Sequence, residues 1–128
     1  RMSIVATVTA AFLTMAAAQP APRCPAQEGQ AIAGPWGLTV CEKPTRVTVV
    51  MYEEPQVGVR AAAVDPGGAL ARAGLAADDV IYRVADTRVS TGKDVIAALG
   101  DTARAHGLTV NFWRNGKPYL VRVWGERR

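Results

Sequence analysis

Few side chains in this sequence have the chemistry of a catalyst, a nucleophile or a metal ligand. The single histidine, His106, stands before Gly107, and a histidine near a helix end is usually solvated and favoured by the helix dipole. A hydrolase triad needs a base beside its nucleophile, and Ser90, the only serine after residue 18, is placed as a helix cap. Asp78 and Asp79 are adjacent, but Asp79 belongs to the start of a predicted strand, and the sequence places no partner pair beside them for a metal. These residue types predict no catalytic residue, no metal ion and no cofactor.

Length and charge narrow the class of protein further. The chain has 128 residues, of which 49% are hydrophobic, and this suits one domain with a core of its own. The formal net charge is +4, and the basic residues are scattered, without a basic stripe interleaved with aromatic residues. The composition therefore argues against a nucleic acid partner.

The N-terminus has the pattern of an export signal. Residues 4–18 are uncharged and rich in Ala, Val and Thr, and they end in Ala16-Ala17-Ala18. Small residues at this point are typical of a signal-peptidase site, so residues 1–18 are predicted to be a signal peptide whose start is incomplete. The alternative is an N-terminal membrane anchor that is kept. The predicted location of the processed protein is the periplasm or the outside of the cell.

Two cysteines, Cys24 and Cys41, lie after the predicted cleavage site. An even number of cysteines in an oxidising compartment favours one disulfide. Such a bond would close a loop of about 16 residues and contribute roughly 3 kcal/mol in the chain-entropy model. The alternative is two unpaired thiols.

Residues 58–84 contain the densest set of local structure signals. Residues 58–64 favour a strand, which Asp65-Pro66-Gly67-Gly68 ends by fixing one φ angle and freeing two others. Residues 69–73 fit one short helix, and Gly74 ends it where the left-handed conformation is favoured. Residues 79–84 then alternate as the next strand.

This order resembles the signature of bacterial PDZ domains of the type found on HtrA-family proteases. In that signature a Pro-Gly turn, a helix ending in Ala-Gly-Leu and an acidic-Val-Ile strand follow one another, as Ala73-Gly74-Leu75 and Asp79-Val80-Ile81 do here. The chain has Asp78 and Asp86 where the family usually has Gly, and Asp tolerates the left-handed region. The resemblance implies an α+β fold: a PDZ-like, partly open β-barrel or sandwich of five to six strands, with one short and one longer helix.

The residues before this signature resemble the carboxylate-binding loop of the same family. Gly34-Pro35 leads into Trp36-Gly37-Leu38-Thr39-Val40, and successive backbone N–H groups in such a loop converge on a carboxylate. The resemblance implies that a peptide carboxylate binds after Trp36, and that the ligand adds as a strand to Leu38, Thr39 and Val40. The alternative is a plain turn with a buried Trp.

The helix after Ser90 corresponds to the one that forms a wall of the peptide groove in PDZ domains. By spacing, Gly92 and Ile96 would face the ligand, while Val95 and Leu99 would fill the core. The resemblance thus implies that the last side chain of an apolar C-terminus lies between Leu38 and Ile96. The alternative for Ile96 is another core residue.

The remaining segments complete the predicted domain, which covers residues 34–128. Alternation predicts strands over residues 46–52, 108–114 and 118–124, with Asn115-Gly116 as the hairpin turn between the last two. Residues 19–33 are rich in Pro, Gln, Ala and Gly, and they are predicted to be a flexible linker that Cys24 could tie down.

Two functions remain. The first is a non-catalytic, exported module that binds extended C-terminal or internal segments of a protein or peptide by strand addition. The second is a structural or assembly subunit of an envelope or secretion complex that docks through another face. The state of the groove distinguishes them: if the Cys24–Cys41 bond holds the linker across the edge formed by residues 38–40, the peptide site is blocked and the second function gains.

Overall fold

A computed structural model describes residues 21–100 and 107–124, so the predicted signal peptide and His106 lie outside the described residues. The described chain is an α+β domain with one short helix and one longer helix, as predicted. The helices are α1 (Ala69–Ala73) and α2 (Gly92–Gly100). The strands are β1 (Ala31–Ala33), β2 (Leu38–Cys41), β3 (Thr45–Val47), β4 (Gln56–Val64), β5 (Val80–Val84), β6 (Thr87–Arg88), β7 (Leu108–Arg114) and β8 (Lys117–Val123).

All strand pairs in the described chain are antiparallel. The main path of the sheet runs β1-β2-β4-β5-β7-β8, while β3 pairs with β4 and β6 pairs with β5. The sheet is open, and its eight strands exceed the five or six that were predicted. The additional strands are short, and two or three residues are too few for alternation to identify a strand.

Residues 58–84 fold as their local signals predict. Gly74 has φ +117°, and Leu75 donates its N–H to the carbonyl oxygen of Leu70, so the left-handed glycine ends α1 and returns Leu75 to the core. Asp78 and Asp86 adopt φ angles of +75° and +67°. Both acidic residues therefore occupy the left-handed conformation that was expected of them.

One apolar core lies between the sheet and the two helices. Val95 and Leu99 of α2 are buried in it, as their spacing predicted, and Ile96 packs at its margin. The buried members from other elements include Leu38, Val40, Val59, Ala61, Leu70, Leu75, Ile81, Val84, Leu108, Val110 and Phe112. Because α1 and α2 bury their apolar sides here, the core fixes α2 against the start of β2.

The strand predicted over residues 46–52 is shorter than expected. Only Thr45–Val47 forms β3, because the chain then turns, with the Tyr52 N–H donating to the Val49 carbonyl oxygen. Val49 is buried beside Val80 and Trp113, but the turn leaves Val50, Met51 and Tyr52 exposed. The alternation in this segment thus reflects one buried valine in a turn rather than a long strand.

Candidate functional site

The segment predicted to bind a carboxylate is a tight hairpin turn. Trp36 and Gly37 both have positive φ angles, +66° and +74°, and the Leu38 N–H donates to the Pro35 carbonyl oxygen. Two successive left-handed residues with this closing bond define a type I′ turn, whose twist matches that of antiparallel strands. One amide of the predicted carboxylate site is therefore already bonded within the turn.

The turn directs the preceding residues back along β2. Ala31, Ile32 and Ala33 of β1 pair antiparallel with Cys41, Val40 and Thr39, respectively. At one end the Gly34 N–H donates to the Leu38 carbonyl oxygen over 2.8 Å, and at the other the Glu42 N–H donates to the Gln30 carbonyl oxygen over 2.9 Å. We call the side of β2 that faces away from β4 the β2 edge, and β1 covers it.

A strand thus occupies the place where a ligand strand was expected, and it belongs to the same chain. It lies in the described part of residues 19–33, which were expected to be a flexible linker. The bonds at Gly34 and Gln30 bracket Ile32, so the alternation of an antiparallel ladder makes Ile32 and Val40 a hydrogen-bonded pair. Paired residues share a face, and the Ile32 side chain therefore lies on the side of the buried Val40.

The predicted residues of α2 are near this hairpin but do not line an open groove. A Cβ built on Gly34 would lie 2.9 Å from Cγ1 of Ile96, so the backbone of Gly34 fills the space beside Ile96. Gly92 is buried, its N–H donates to the Glu42 carbonyl oxygen, and a Cβ there would lie 2.6 Å from the Cys41 carbonyl oxygen. Gly92 therefore allows α2 to approach the end of β2 closely.

An ion pair that the sequence did not suggest holds the same segment. Glu28, only 1% exposed, accepts hydrogen bonds from Nε and Nη2 of Arg60 over 2.8 and 3.1 Å. The bond to Glu28 raises the pKa of Arg60 above its ordinary value. The two residues are 32 positions apart and Glu28 lies in a stretch without periodicity, so only the fold reveals the pair.

The disulfide between Cys24 and Cys41 is present, with a Cα–Cα distance of 5.7 Å. Cys41, at the end of β2, is fully buried, while Cys24 is half-buried. The bond closes a covalent ring that contains β1, the hairpin turn and β2. The segment before β2 is therefore fastened to the domain on both sides of β1.

The polar residues considered for catalysis have structural partners. Ser90 and Thr91 cap α2 together with Asp94, whose Oδ2 accepts hydrogen bonds from both backbone amides. These amide bonds, led by that of Ser90, lower the pKa of Asp94. Asp79 is 2% exposed and accepts two hydrogen bonds from Arg114. Across residues 21–100 and 107–124, no group of His, Cys, Asp and Glu is arranged to hold a metal ion.

None of the helices in the described ranges has both the length and the apolar character needed to cross a membrane.

The sequence matches the family model of the PDZ domain over residues 37–124, and the chain therefore belongs to the PDZ domain family. PDZ domains bind peptides by adding them as a strand to an exposed sheet edge. The family match begins at Gly37, so it includes β2 and α2 but not β1.

Among solved structures, 39 chains match, and one of them is an HtrA-type protease, AlgW, with a decapeptide. The match has a TM-score of 0.54 and 23% sequence identity, and it covers 74% of this chain and 30% of that chain. The likeness supports the PDZ fold. No curated protein matches this sequence.

Proposed function

We propose that this chain is a non-catalytic, exported module that recognises an extended segment of a partner protein by strand addition to the β2 edge. The observation that carries the proposal is the antiparallel pairing of β1 with β2. The chain itself makes, in this position, the backbone contacts that a bound segment would make. A partner segment would take the place of β1.

The register of β1 indicates what such a segment looks like. The residue in the place of Ile32 shares a face with Val40, which favours an aliphatic side chain. The residue in the place of Gly34 must be small, because a Cβ there would approach Ile96 Cγ1 to 2.9 Å. An apolar C-terminal residue between Leu38 and Ile96 requires the Ile96 side chain to move, so this geometry favours an internal segment over an apolar C-terminus.

The predicted location fits the disulfide. A bond between Cys24 and Cys41 is stable in oxidising compartments and rare in the cytosol. The disulfide thus supports the proposal that the processed protein lies in the periplasm or outside the cell. The proposed partner is a protein or peptide rather than nucleic acid or a membrane.

The covered edge also favours the second function, a structural or assembly subunit. With β1 on β2, a partner would dock through another face. The turn after β3 offers one, since Val50, Met51 and Tyr52 are 73%, 63% and 50% exposed. Contiguous exposed apolar residues are more typical of contacts than single ones.

A pair of proline variants tests strand addition. Ile32→Pro removes an amide that alternation assigns to the ladder with β2, and Ala33→Pro removes one that points away from it. We expect the Ile32→Pro protein to bind an amidated peptide with the sequence of residues 28–36 at roughly micromolar Kd, near −8 kcal/mol. The Ala33→Pro protein, its matched control, should bind it no better than the wild type.

A second peptide of the same length ends in valine and is tested with a free and with an amidated C-terminus. If its carboxylate binds after Trp36, amidation weakens binding by about 1.5–3 kcal/mol, the usual range for a hydrogen bond to a charged group. If the Ile32→Pro protein is folded and binds neither peptide in calorimetric titration, whether its disulfide is intact or reduced, strand addition is wrong and the assembly function is favoured.

A further inference from the structure

The chain covers its own β2 edge with β1, which pairs with β2 in the way that a bound ligand strand would. Hydrogen bonds join Gly34 to Leu38 and Gln30 to Glu42, and the ladder between them pairs Ile32 with Val40. The contacts are those of an antiparallel strand, and they engage the side of β2 that faces away from β4. A partner segment and β1 therefore compete for the same backbone groups.

Little of the apolar packing holds β1 in this place. Ala33 is exposed, Ala31 and Ile32 are half-buried, and neither core cluster contains a β1 residue. The buried contacts lie at the ends of the segment, where Glu28 pairs with Arg60 and Cys24 is bonded to Cys41. A strand of only three residues that belongs to no core cluster is readily displaced once its ends are released.

We propose that β1 is an intramolecular ligand that the Cys24–Cys41 disulfide keeps on the β2 edge, so that reduction of this bond by a dithiol opens the edge to a partner segment. The proposal rests on the proposed function and adds a control of the same site. While the bond is intact, β1 lies inside a closed ring and cannot leave from its free end. After reduction, the only covalent connection between the N-terminal segment and the rest of the domain is the turn at Trp36 and Gly37.

The exchange reaction is balanced as follows. A thiolate of the dithiol attacks Sγ of Cys24, the less buried of the two cysteines, and the bond to Cys41 breaks. Cys41 leaves as a thiolate and takes up a proton. The second thiol of the reductant then displaces Cys24 from the mixed disulfide, so the protein gains two electrons and two protons and the dithiol becomes a disulfide.

Amide hydrogen exchange and peptide binding test the proposal on the full wild-type chain, oxidised and then reduced with dithiothreitol. The Glu42 amide donates to Gln30 and reports β1, while the Ala61 amide donates to Asp79 and reports the sheet interior. In the chain-entropy model, opening a ring of this length would change the equilibrium between the covered and the open edge by at most on the order of a hundredfold. We expect reduction to accelerate exchange at Glu42 and to tighten binding of the peptide with the sequence of residues 28–36, each by at least about tenfold, with Ala61 unchanged.

Two variants separate the possible results. Cys24→Ser should behave as the reduced protein without any reductant, which keeps the test valid if dithiothreitol has other effects. Glu28→Gln removes the charge of the ion pair and leaves the disulfide, so exchange at Glu42 should stay slow. If Glu28→Gln alone opens the edge, or if reduction changes neither exchange at Glu42 nor binding, the disulfide does not control the edge.

The experiments distinguish failure of the proposed redox control from failure of strand addition. If the Ile32→Pro protein binds the peptide and the reduced wild type does not, the proposed function stands and the redox control is wrong. If neither binds while Ala61 stays protected in both, strand addition itself is wrong.

Discussion

At the scale of residues, the two buried carboxylates of the described chain join distant segments. Glu28 connects the segment before β1 to Arg60 of β4, and Asp79 connects the start of β5 to Arg114 of β7. Each carboxylate is almost fully buried, and each receives two hydrogen bonds from its arginine. A buried charge of this kind stabilises the fold only while its partner is present.

Removing Arg114 should destabilise the domain far more than removing an exposed arginine. Arg114→Ala leaves the Asp79 carboxylate buried with only the Ala76 N–H, and we expect a loss of about 3 kcal/mol in the free energy of unfolding. Arg122→Ala is the control, since Arg122 is exposed on β8 and should cost at most about 0.5 kcal/mol. Urea unfolding measures both, and equal losses would contradict the structural role of the Asp79 pair.

The Asp94 carboxylate in the cap of α2 should make the free energy of unfolding depend on pH. The amides of Ser90 and Thr91 lower the pKa of Asp94 below 3.8 in the folded protein, so the ionised form stabilises the fold. This contribution is complete above the unfolded pKa near 3.8 and is lost as the pH falls through the lowered folded value. The stability difference between wild type and Asp94→Asn should therefore be constant near pH 6 and shrink below pH 4. Denaturant unfolding across this range measures it, and a difference that grows with acid would oppose the assignment.

At the scale of elements, the hairpin β1–β2 depends on a turn that few residues accept. Trp36 and Gly37 both have positive φ angles, and only glycine does so at little cost. A Cβ on Gly37 would also lie 2.7 Å from Cβ of Asp65, at the end of β4. Gly37 therefore allows both the positive φ angle of the turn and the close approach of Asp65, which follows β4.

A pair of alanine substitutions isolates this requirement. Gly37→Ala adds a side chain at φ +74° and against Asp65, and we expect it to cost about 1–2 kcal/mol or more. Gly100→Ala, at the end of α2, meets nothing within 4 Å and should stabilise by up to about 1 kcal/mol. Thermal unfolding with opposite shifts would support the turn geometry, whereas a neutral Gly37→Ala would contradict it.

The sequence predicted those elements whose signals are local. Residues 58–84 carry their own turn and helix cap, and Asn115-Gly116, with φ angles of +54° and +76°, forms the hairpin turn that the pair predicts. The conformation of Trp36-Gly37 was harder to predict, because a carboxylate-binding loop and a hairpin turn both require a glycine at this position. β1 could not be predicted, because Ala31-Ile32-Ala33 becomes a strand only by pairing with β2. The residues before it are held by Arg60 and Cys41, which are distant in sequence.

At the scale of the whole molecule, the described domain begins as a covalent ring and continues as an open antiparallel sheet. The disulfide between Cys24 and Cys41 closes this ring, and Cys24 lies six residues beyond the predicted cleavage site after Ala18. Because disulfides form and persist in oxidising compartments, the proposed export would also favour the bond that keeps the β2 edge covered.

Export predicts a defined N-terminus. We expect protein recovered from its native compartment to start at Gln19, because residues 4–18 have the composition of a signal peptide and end in small residues. Intact mass under non-reducing conditions measures the cleavage site, and a linked peptide in a non-reduced digest identifies the disulfide. A mass that retains residues 4–18 would instead support an N-terminal anchor.

The covering of β2 by β1 also has a consequence for solubility. The sheet's other long edge, β8, carries Lys117, Pro118 and Arg122, residue types that discourage edge-to-edge association. β2 has no such protection, since Leu38-Thr39-Val40-Cys41 contains neither a charge nor a proline. β1 thus keeps the unprotected β2 edge from pairing with strands of other chains. A domain that loses β1 before a partner segment binds would be prone to aggregate through the β2 edge.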